Sequence, residues 1–222
     1  PHDYFEDIKY SFEEVFKIFP SELQLGFLKF LKGTPVRLKY ETHGYKFDPE
    51  PPYQIIESNY LSKNELHQIG LLEEALEIYW NKKRAINTLK YVTVTYSIFD
   101  FLLGLAKYFD AKSDFHKHSL ANVYQLLNEF VEINFSNDIK LKQLIAIDYY
   151  MAHKVKPQLL FLKETSAQHK QDLIKQYDLN LHKFRYLFFE IDFNYLLFKE
   201  QQVLEEGKNN IILKYTGTNF AE

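Results

Sequence analysis

The amino-acid sequence predicts an α+β fold in which a mainly helical domain ends in a small antiparallel sheet and follows a helix–strand unit. Apolar residues recur at steps of three and four through about a hundred residues after Ser62, the period of helices packed on a core. Near the end of the chain, residues 210–215 alternate between apolar and polar, the period of a strand. Residues 49–52 hold three of the seven prolines and mark a boundary between the two parts.

The composition excludes several classes of protein. With 222 residues, 46% hydrophobic and 26% charged, the chain has the make-up of a soluble globular protein. A net charge of −3 without a basic stripe argues against a dedicated nucleic-acid binder. No apolar run reaches the roughly 18 residues of a membrane span and no signal peptide is visible, so we expect a cytoplasmic protein without membrane contact. The lack of cysteine excludes disulfides, thiolate catalysis and cysteine-held zinc or iron–sulfur sites within this chain.

The N-terminal part is predicted to form a helix, a strand and a second helix in turn. Apolar residues at steps of three and four predict the first helix over residues 3–19, and the proline that follows ends it. The mostly apolar run 23–28 predicts a short strand. The second helix is predicted to start at Pro35 and to end before Gly44, which suits the left-handed position after a helix. These elements make up a first predicted domain, residues 1–47.

The rest of the chain is predicted as a proline-rich linker, residues 48–56, and a helical domain, residues 57–222. Ser62 and Glu65 have the spacing of a capping box and predict the start of the first helix of this domain. Hydrophobic periodicity predicts further helices over residues 84–96, 97–109, 119–135, 138–153 and 166–177. Two aromatic and β-branched segments, with a loop predicted at residues 205–209 between them, are expected to pair as an antiparallel sheet over residues 183–194 and 210–215.

The order and spacing of the N-terminal segments resemble the end of a radical SAM barrel (SAM is S-adenosylmethionine). In that family a Gly-Leu-Pro-Gly-Glu-like turn, a helix, the sixth barrel strand and a Gly-Thr-Pro turn follow one another. In this chain residues 1–3, the helix 3–19, the strand 23–28 and Gly33-Thr34-Pro35 stand in those places. The resemblance therefore implies that residues 1–47 are the remnant of a partial TIM-type barrel.

The next segments narrow the resemblance to one subgroup of that family. Members of the subgroup join an N-terminal cobalamin-binding domain, a radical SAM barrel and a C-terminal domain of unknown function. Four segments are similar to the start of that last domain, namely residues 51–56, 60–62, 69–74 and 79–81. The similarity covers about residues 1–81, and the helices and sheet beyond them are compatible with it.

The resemblance implies that the intact protein carries a 4Fe–4S cluster, SAM and cobalamin. The family holds its cluster with a CxxxCxxC loop, and this chain has no cysteine. Because the chain also begins on Pro1 rather than on methionine, we expect a fragment whose partners are the upstream barrel and cobalamin domains of the same polypeptide. Its expected function is that of an accessory or substrate-presenting domain of a radical SAM Fe–S enzyme, with an unknown substrate and no complete active site of its own.

Position in the resemblance also nominates binding residues. The SAM-side end of the sixth strand and the turn after it correspond to Gly26, Phe27, Leu28, Lys29, Gly33 and Thr34. A barrel remnant without its other strands must cover its apolar side with the helical domain or with a second copy of the chain. The expected homo-oligomer contact would use Phe5, Phe12, Phe16 and Phe27.

Other residue groups have both a structural and a functional interpretation. His116 and His118, close to Asp114, fit a solvated loop ahead of a helix, or a metal site in an independent metal-dependent enzyme. On the predicted helix that holds Asp148 and Tyr150, Tyr149 and His153 lie one turn apart. They fit a helix packed on a core, or an acid–base pair.

The rival function is a module that binds RNA or a partner protein without a direct part in catalysis. The basic segments 82–84 and 154–156 fit helix-end charges, or a grip on a nucleic-acid backbone with Trp80 and Tyr150 as stacking partners. Arg185 with Tyr186, Phe188 and Phe189 fits a sheet core covered by helices, or a base-stacking surface. The sequence favours the structural interpretation in both cases and leaves the functional one open.

Overall fold

A computed structural model describes residues 2–221 of the chain, which divide into two compact units. The N-terminal unit comprises the residues up to Lys82 together with Thr95–His118. The C-terminal unit comprises Lys83–Val94 and the residues from Ser119 onward. The chain therefore enters the second unit, returns to the first and then completes the second.

The elements follow one another in an order that is mostly helical. The helices are α1 (Phe5–Phe16), α2 (Pro35–Leu38), α3 (Lys63–Leu76), α4 (Ile86–Thr95), α5 (Ile98–Lys112), α6 (Leu120–Asn134), α7 (Ile139–Met151), α8 (Ala167–Gln176) and α9 (Tyr195–Gln201). A 3₁₀ turn spans Tyr40–His43 and a π-helical turn spans Glu77–Asn81. The strands are β1 (Lys46–Phe47), β2 (Ile55–Glu57), β3 (Arg185–Phe193) and β4 (Glu206–Tyr215).

Helix α1 buries its apolar side within the N-terminal unit. Phe12 and Phe16 are 3% and 0% exposed, and burying each such ring stabilises the fold by about 1.5–3 kcal/mol. The ring of Phe16 lies 4.6 Å from that of Trp80, while Phe5 and Phe12 lie 5.5 and 5.7 Å from the ring of Phe99. We expected either the helical domain or a second copy of the chain to cover this helix. Trp80 and Phe99, which cover it, belong to the same chain. Phe12 and Phe16 are therefore not exposed to a second copy, and the homo-oligomer stays a prediction.

The strand predicted over residues 23–28 is wrong. The segment forms no ladder, and pairing is limited to an isolated antiparallel bridge between Lys29 and Gln54. At its other end, the side-chain amide of Asn81 takes the place of a neighbouring strand. Its oxygen accepts from the backbone N–H of Leu23 at 3.1 Å and its nitrogen donates to the carbonyl of Leu23 at 3.0 Å. A regular strand needs a facing strand of several residues, and a single side chain supplies one pair of bonds.

The second predicted helix is divided into α2 and the 3₁₀ turn. Gly44 follows at φ 59° and ψ 30°, in the left-handed conformation that the sequence predicts after a helix end. There the chain reverses into β1, which pairs antiparallel with β2. The proline-rich segment 48–56 makes up the connection and the start of β2, inside the N-terminal unit.

Helices α3 and α5 pack together in the N-terminal unit. The predicted capping box at the start of α3 is confirmed, because Glu65 N–H donates to Ser62 Oγ and Ser62 N–H donates to Glu65 Oε2 at 2.7 Å. The apolar residues of α3 that recur at steps of three and four form a buried stripe. Its buried members, continued by the π-helical turn, are Leu66, Ile69, Leu72, Leu76 and Tyr79.

The C-terminal unit is built from α4, α6, α7, α8 and α9 with the strands β3 and β4. Three of its helices begin after side-chain caps, which stand at the first residues of the predicted ranges 119–135, 138–153 and 166–177. The side chains of Ser119, Asp138 and Ser166 accept from backbone N–H groups in the first turns of α6, α7 and α8. Helix α4 forms despite a strand-like run of valine, threonine and tyrosine. Its residues Leu89 and Val92 are fully buried, so packing outweighs the local preference.

Strands β3 and β4 form the predicted antiparallel sheet, with Arg185 opposite Tyr215 and Phe193 opposite Glu206. The loop predicted at residues 205–209 is wrong, because β4 already begins at Glu206 and helix α9 forms the connection. Asn194 starts α9 by accepting from the N–H of Leu197 at 3.2 Å. The α+β, mainly helical fold class is confirmed. Within the described residues, no helix combines the length and apolar character needed to cross a bilayer.

Candidate functional site

The N-terminal unit contains a cavity of about 320 Å³ beside the segment that follows Pro20; we call it the strand-end cavity. This volume lies at the lower end of the range for small-molecule sites, about 300–1,000 Å³. Its lining consists of His2, Asp3, Ile8, Leu25, Gly26, Phe27, Leu28, Tyr45, Ile55, Ser58, Tyr60, Leu61, Leu66 and Ile69. The lining thus combines residues before α1, after α1, around the β1–β2 hairpin and on α3.

Backbone bonds fix the wall of the cavity at its glycine. Ile55 N–H donates to the carbonyl of Leu28 at 2.9 Å and Phe30 N–H donates to that of Tyr53 at 2.8 Å. Gly26 does not adopt a left-handed conformation, and a Cβ placed on it would meet no atom within 4 Å. Gly26 belongs to the lining of the cavity, and its position has room for a side chain. A larger residue at this position would project into open volume without backbone strain.

One side of the strand-end cavity is polar and aromatic. His43 does not belong to the lining, but its Nδ1 lies 3.1 Å from the hydroxyl of Tyr60, which does, within hydrogen-bond distance. The ring of His2 stands edge-on to both, with centroids 5.4 Å from His43 and 5.0 Å from Tyr60. The ring of Tyr45 lies 5.4 Å from His43. Burial raises the pKa of Tyr45, and the nearby Tyr60 and Asp3 raise it further, so its hydroxyl stays protonated at neutral pH.

This arrangement suits a flat, mostly apolar ligand with a hydrogen-bonding edge. Leu25, Phe27 and the apolar side of α3 contribute dispersion contacts, and the imidazole and phenol groups contribute donors and acceptors. The pair of His43 and Tyr60 can hold a proton at the tyrosine oxygen or pass it to a ligand. Among residues 2–221, no three or more His, Cys, Asp or Glu side chains are grouped so as to hold a metal ion.

The six residues nominated at the strand end fall into three places. Residues 26–28 line the strand-end cavity together with His2 and Asp3. Lys29 makes the bridge to Gln54 instead. Gly33 and Thr34 shape the turn before α2, with Gly33 at φ 83° and Thr34 as the residue preceding the helix. The structure therefore brings half of the nominated residues into one cavity.

Sequence reasoning missed the polar side of the cavity. His2, His43, Tyr45 and Tyr60 belong to segments that meet only in the folded unit. The one local signal was Gly44, which predicts a reversal of the chain after His43. It could not indicate that the reversed chain would return through Asn59, whose N–H donates to the carbonyl of His43 at 3.0 Å.

The candidate metal pair lies in a surface loop ahead of α6. The side chain of His116 is 78% exposed, and its Nε2 lies 4.0 Å from a carboxylate oxygen of Glu74. His118 packs edge-on against Phe109, with ring centroids 5.7 Å apart. Asp114 accepts from the backbone N–H of His116 at 2.8 Å, which closes the turn. The loop thus has the geometry expected from its structural interpretation.

Tyr149 and Tyr150 form part of the core of the C-terminal unit, and His153 lies half-buried next to them. Tyr149 and Tyr150 are 2% and 0% exposed, and burial raises the pKa of both hydroxyls. His153 Nδ1 lies 2.7 Å from the backbone carbonyl of Tyr149, and the two rings are 4.5 Å apart. The imidazole is therefore engaged by the main chain at the end of α7, as the interpretation of a packed helix predicts.

Asp148 has a structural role that its sequence position does not reveal. Its buried carboxylate accepts four hydrogen bonds, from the backbone and side chain of Asn87 at 3.2 and 2.7 Å and from those of Thr88 at 2.8 and 2.7 Å. Both residues lie in the first turn of α4. Burial raises the pKa of Asp148 to about 6, against the opposing effect of these hydrogen bonds. The carboxyl group joins α7 to the start of α4 and is closed off from any ligand.

The aromatic residues considered for RNA stacking are buried. Trp80 is 2% exposed in the N-terminal unit, where its indole N–H donates to the carbonyl of Pro20 at 2.9 Å. On the sheet of the C-terminal unit, Tyr186, Phe188 and Phe189 are 8%, 0% and 1% exposed. Stacking on a base requires an exposed ring face, so these rings cannot supply it.

Comparisons with known proteins add a family and no function. A family described as "Protein of unknown function (DUF4080)" matches residues 41–203, most of the chain. Neither the curated proteins nor the solved structures gave a match. The matched range begins inside the 3₁₀ turn that precedes Gly44 and ends shortly after α9. The segment that carries residues 26–28 lies before it.

Proposed function

The chain belongs to the family described as "Protein of unknown function (DUF4080)", and we propose that it serves as an accessory, substrate-presenting domain of a radical SAM Fe–S enzyme. In this proposal, residues 1–47 are the end of the barrel and residues 57–222 the accessory domain. The parent polypeptide carries the catalytic activity. This chain contributes one wall of the space where SAM and substrate meet.

The observation that carries the proposal is the composition of the strand-end cavity. The resemblance assigns residues 1–3 to the turn before the first helix and residues 26–28 to the SAM-side end of the sixth strand, at the same end of the barrel. His2 and Asp3 from the first and Gly26, Phe27 and Leu28 from the second line one cavity. Leu66 and Ile69 on α3, which belong to the predicted accessory domain, complete it. A cavity shared between the barrel end and the accessory domain is the arrangement that substrate presentation requires.

The range of the family match also supports a chain of two origins. The match starts at residue 41, close to the predicted end of the barrel remnant at residue 47. The residues with the order and spacing of the barrel end lie mostly before that point. A family domain that begins at residue 41 is compatible with a boundary near residue 47.

The resemblance implies three cofactors, namely a 4Fe–4S cluster, SAM and cobalamin. The residues of this chain suit them to different degrees. The chain has no cysteine, so none of its side chains fits the cluster. Phe27, His2 and Tyr60 beside a glycine fit a flat heteroaromatic group such as the adenine of SAM, and a volume of about 320 Å³ suits a group of that size. Cobalamin is far larger than this cavity, and no residue of the chain is assigned to it.

Within the proposal, the residues of the cavity bind and orient. Phe27 and Leu25 exclude water from the ligand face, because their apolar surfaces line the wall. The hydroxyl of Tyr60, held by His43, faces the edge of the ligand and selects for a hydrogen-bonding group there. No covalent step is assigned to this chain.

The experiment begins with the coding sequence upstream of this chain. We expect a CxxxCxxC loop there and, further upstream, a cobalamin-binding domain. The intact polypeptide, purified and reconstituted without oxygen, should bind an iron–sulfur cluster and cleave SAM to 5′-deoxyadenosine when reduced. An upstream sequence without the cysteine loop, or a reduced, cluster-loaded polypeptide that leaves SAM intact, would overturn the proposal.

A further inference from the structure

A second concave surface of the N-terminal unit lies between the turn before α2 and the hairpin strand β1. We call it the basic recess; its volume is about 680 Å³. Lys32, Arg37 and Lys46 line it together with the rings of Tyr40 and Phe47, and no carboxylate belongs to the lining. The recess is therefore positive and aromatic in a chain whose net charge is −3.

The guanidinium group of Arg37 is positioned before any ligand arrives. It lies 5.0 Å from the ring centroid of Phe47 and 4.8 Å from that of Tyr53, within the range of cation–π attraction. Its Nη1 donates to the backbone carbonyl of Phe30 at 2.7 Å. Phe30 in turn stacks on Phe47, with centroids 4.4 Å apart and planes 10° from parallel. Two rings and a carbonyl thus fix the plane of the charged group.

The charge of this group is not compensated locally. Across the described residues 2–221, Arg37 and Lys32 form no ion pair with a carboxylate, whereas Lys46 is paired with Glu57 at 2.5 Å. Lys32 Nζ lies 5.8 Å from the ring centroid of Tyr53, the ring that the guanidinium of Arg37 also contacts. A guanidinium has five N–H donors, and the carbonyl of Phe30 takes one from Arg37. The remaining donors and the ammonium of Lys32 are available to an anion.

We propose that the basic recess binds the phosphate group of a small phosphate monoester that carries an aromatic base, a nucleoside monophosphate being the simplest example. The planar donor fork of an arginine matches the oxygens of a phosphate, and Lys32 adds a second positive charge. The volume lies within the range of small-molecule sites. Tyr40, 40% exposed at the edge of the recess, offers a ring face to the base.

This site is separate in kind from the strand-end cavity and does not rest on the proposed function. The cavity is mainly apolar, with neutral donors and acceptors, and the recess is cationic. Tyr45 contributes to the lining of both. A chain without any link to SAM could still bind a phosphate ester here, and the two proposals are tested with different ligands.

The test is a binding titration of the chain by calorimetry with inorganic phosphate, adenosine 5′-monophosphate and adenosine. We expect the monophosphate to bind, inorganic phosphate to compete with it, and adenosine to bind at least tenfold more weakly. Affinity should fall as salt is added, because the contact is between charges. No binding of the monophosphate, or equal binding of adenosine, would overturn the proposal. So would binding of a single-stranded RNA by a chain that ignores the monophosphate.

Variants assign the binding to the recess. Arg37→Gln and Lys32→Gln should each weaken the monophosphate by tenfold or more. Arg37→Lys should keep the charge but lose the planar fork of donors. Its affinity for the monophosphate should therefore lie between those of the unchanged chain and Arg37→Gln. Lys39→Gln, on an exposed lysine next to α2 that does not line the recess, is the matched control and should bind as the unchanged chain does.

The variants of Arg37 need a check of folding, because Arg37 also donates a hydrogen bond to the carbonyl of Phe30. Circular dichroism supplies that check, and Lys32→Gln tests the site without removing this hydrogen bond. Wild-type affinity in Lys32→Gln and in a folded Arg37→Gln would refute the assignment.

Discussion

Replacing Asp148 by asparagine tests whether one buried carboxyl group holds α4 onto α7. The carboxylate accepts four hydrogen bonds from Asn87 and Thr88, two of them from backbone N–H groups in the first turn of α4. An asparagine of the same shape offers one oxygen and turns an NH₂ group toward donors. At least two bonds are lost, and at about 1–1.5 kcal/mol each the variant should lose about 2–3 kcal/mol of unfolding free energy at neutral pH.

The same variant has a predicted pH dependence. The pKa of Asp148 is raised to about 6 in the folded chain, from its ordinary value of 3.8. A raised pKa means that the folded state binds the proton more tightly than the unfolded state does. The protonated carboxyl group therefore adds to the free energy of unfolding at low pH, and this contribution is lost as the pH rises through about 6. Because asparagine does not titrate, the difference in unfolding free energy between wild type and variant should widen by about 1 kcal/mol when the pH falls from about 7.5 to about 5.

Urea unfolding followed by circular dichroism measures both effects. Asp172→Asn, on the exposed face of α8, is the matched control and should change stability by less than about 0.5 kcal/mol at either pH. A variant of Asp148 as stable as the wild type would refute the role of this group as the anchor of α4. A gap that narrows as the pH falls would refute the direction of its pKa shift.

Three further substitutions test the N-terminal unit by the same unfolding measurement. Gly44→Ala should lose about 1–3 kcal/mol, because the residue is left-handed and a Cβ would collide with the side chain of Asn59; an unchanged midpoint would contradict that turn. Gly70→Ala should gain about 0.5–1 kcal/mol, since its Cβ would meet Phe27 at an ordinary 3.8 Å inside α3; a loss would contradict that packing. Phe16→Ala should lose about 3–5 kcal/mol, and a loss below about 1 kcal/mol would mean that α1 does not pack as described.

The helices could be predicted because their signals are local. Ser62 supplies the cap hydrogen bond that the sequence predicts, and Ser119 and Ser166, the first residues of two predicted helices, supply caps as well. The stripe of α3 is readable because one face is buried along its whole length. Helix α9 was missed although Asn194 caps it, because seven residues give too few turns for a period to stand out.

The segment before Lys29 could not be predicted from its own residues. Its apolar character suits a strand, but a strand exists only where another backbone lies beside it. In this chain the partner at Leu23 is the side chain of Asn81, far along the sequence. Nothing within residues 23–28 records whether the neighbour is a strand or an amide group.

The candidate site was predicted in part for the same reason. Residues 26–28 were nominated by the order and spacing of segments along the chain, and both can be read from the sequence alone. The meeting of His2, His43 and Tyr60 depends on the reversal at Gly44 and on the path of the hairpin, which are tertiary properties. The charge balance of Arg37 also depends on which carboxylates fold near it, so its sequence neighbours did not single it out.

We propose that the strand-end cavity forms part of the site where a radical SAM enzyme binds SAM or presents its substrate. Gly26→Val in the intact, cluster-loaded polypeptide tests it most directly, because it enlarges a residue of the cavity lining where a Cβ meets no atom within 4 Å and the backbone is not left-handed. The matched control is Ala111→Val, which adds a similar group to an exposed position of α5. The measurement is the rate of 5′-deoxyadenosine formation at equal cluster content. We predict at least a tenfold fall for Gly26→Val and no change for Ala111→Val; a Gly26→Val enzyme with the wild-type rate would contradict the claim.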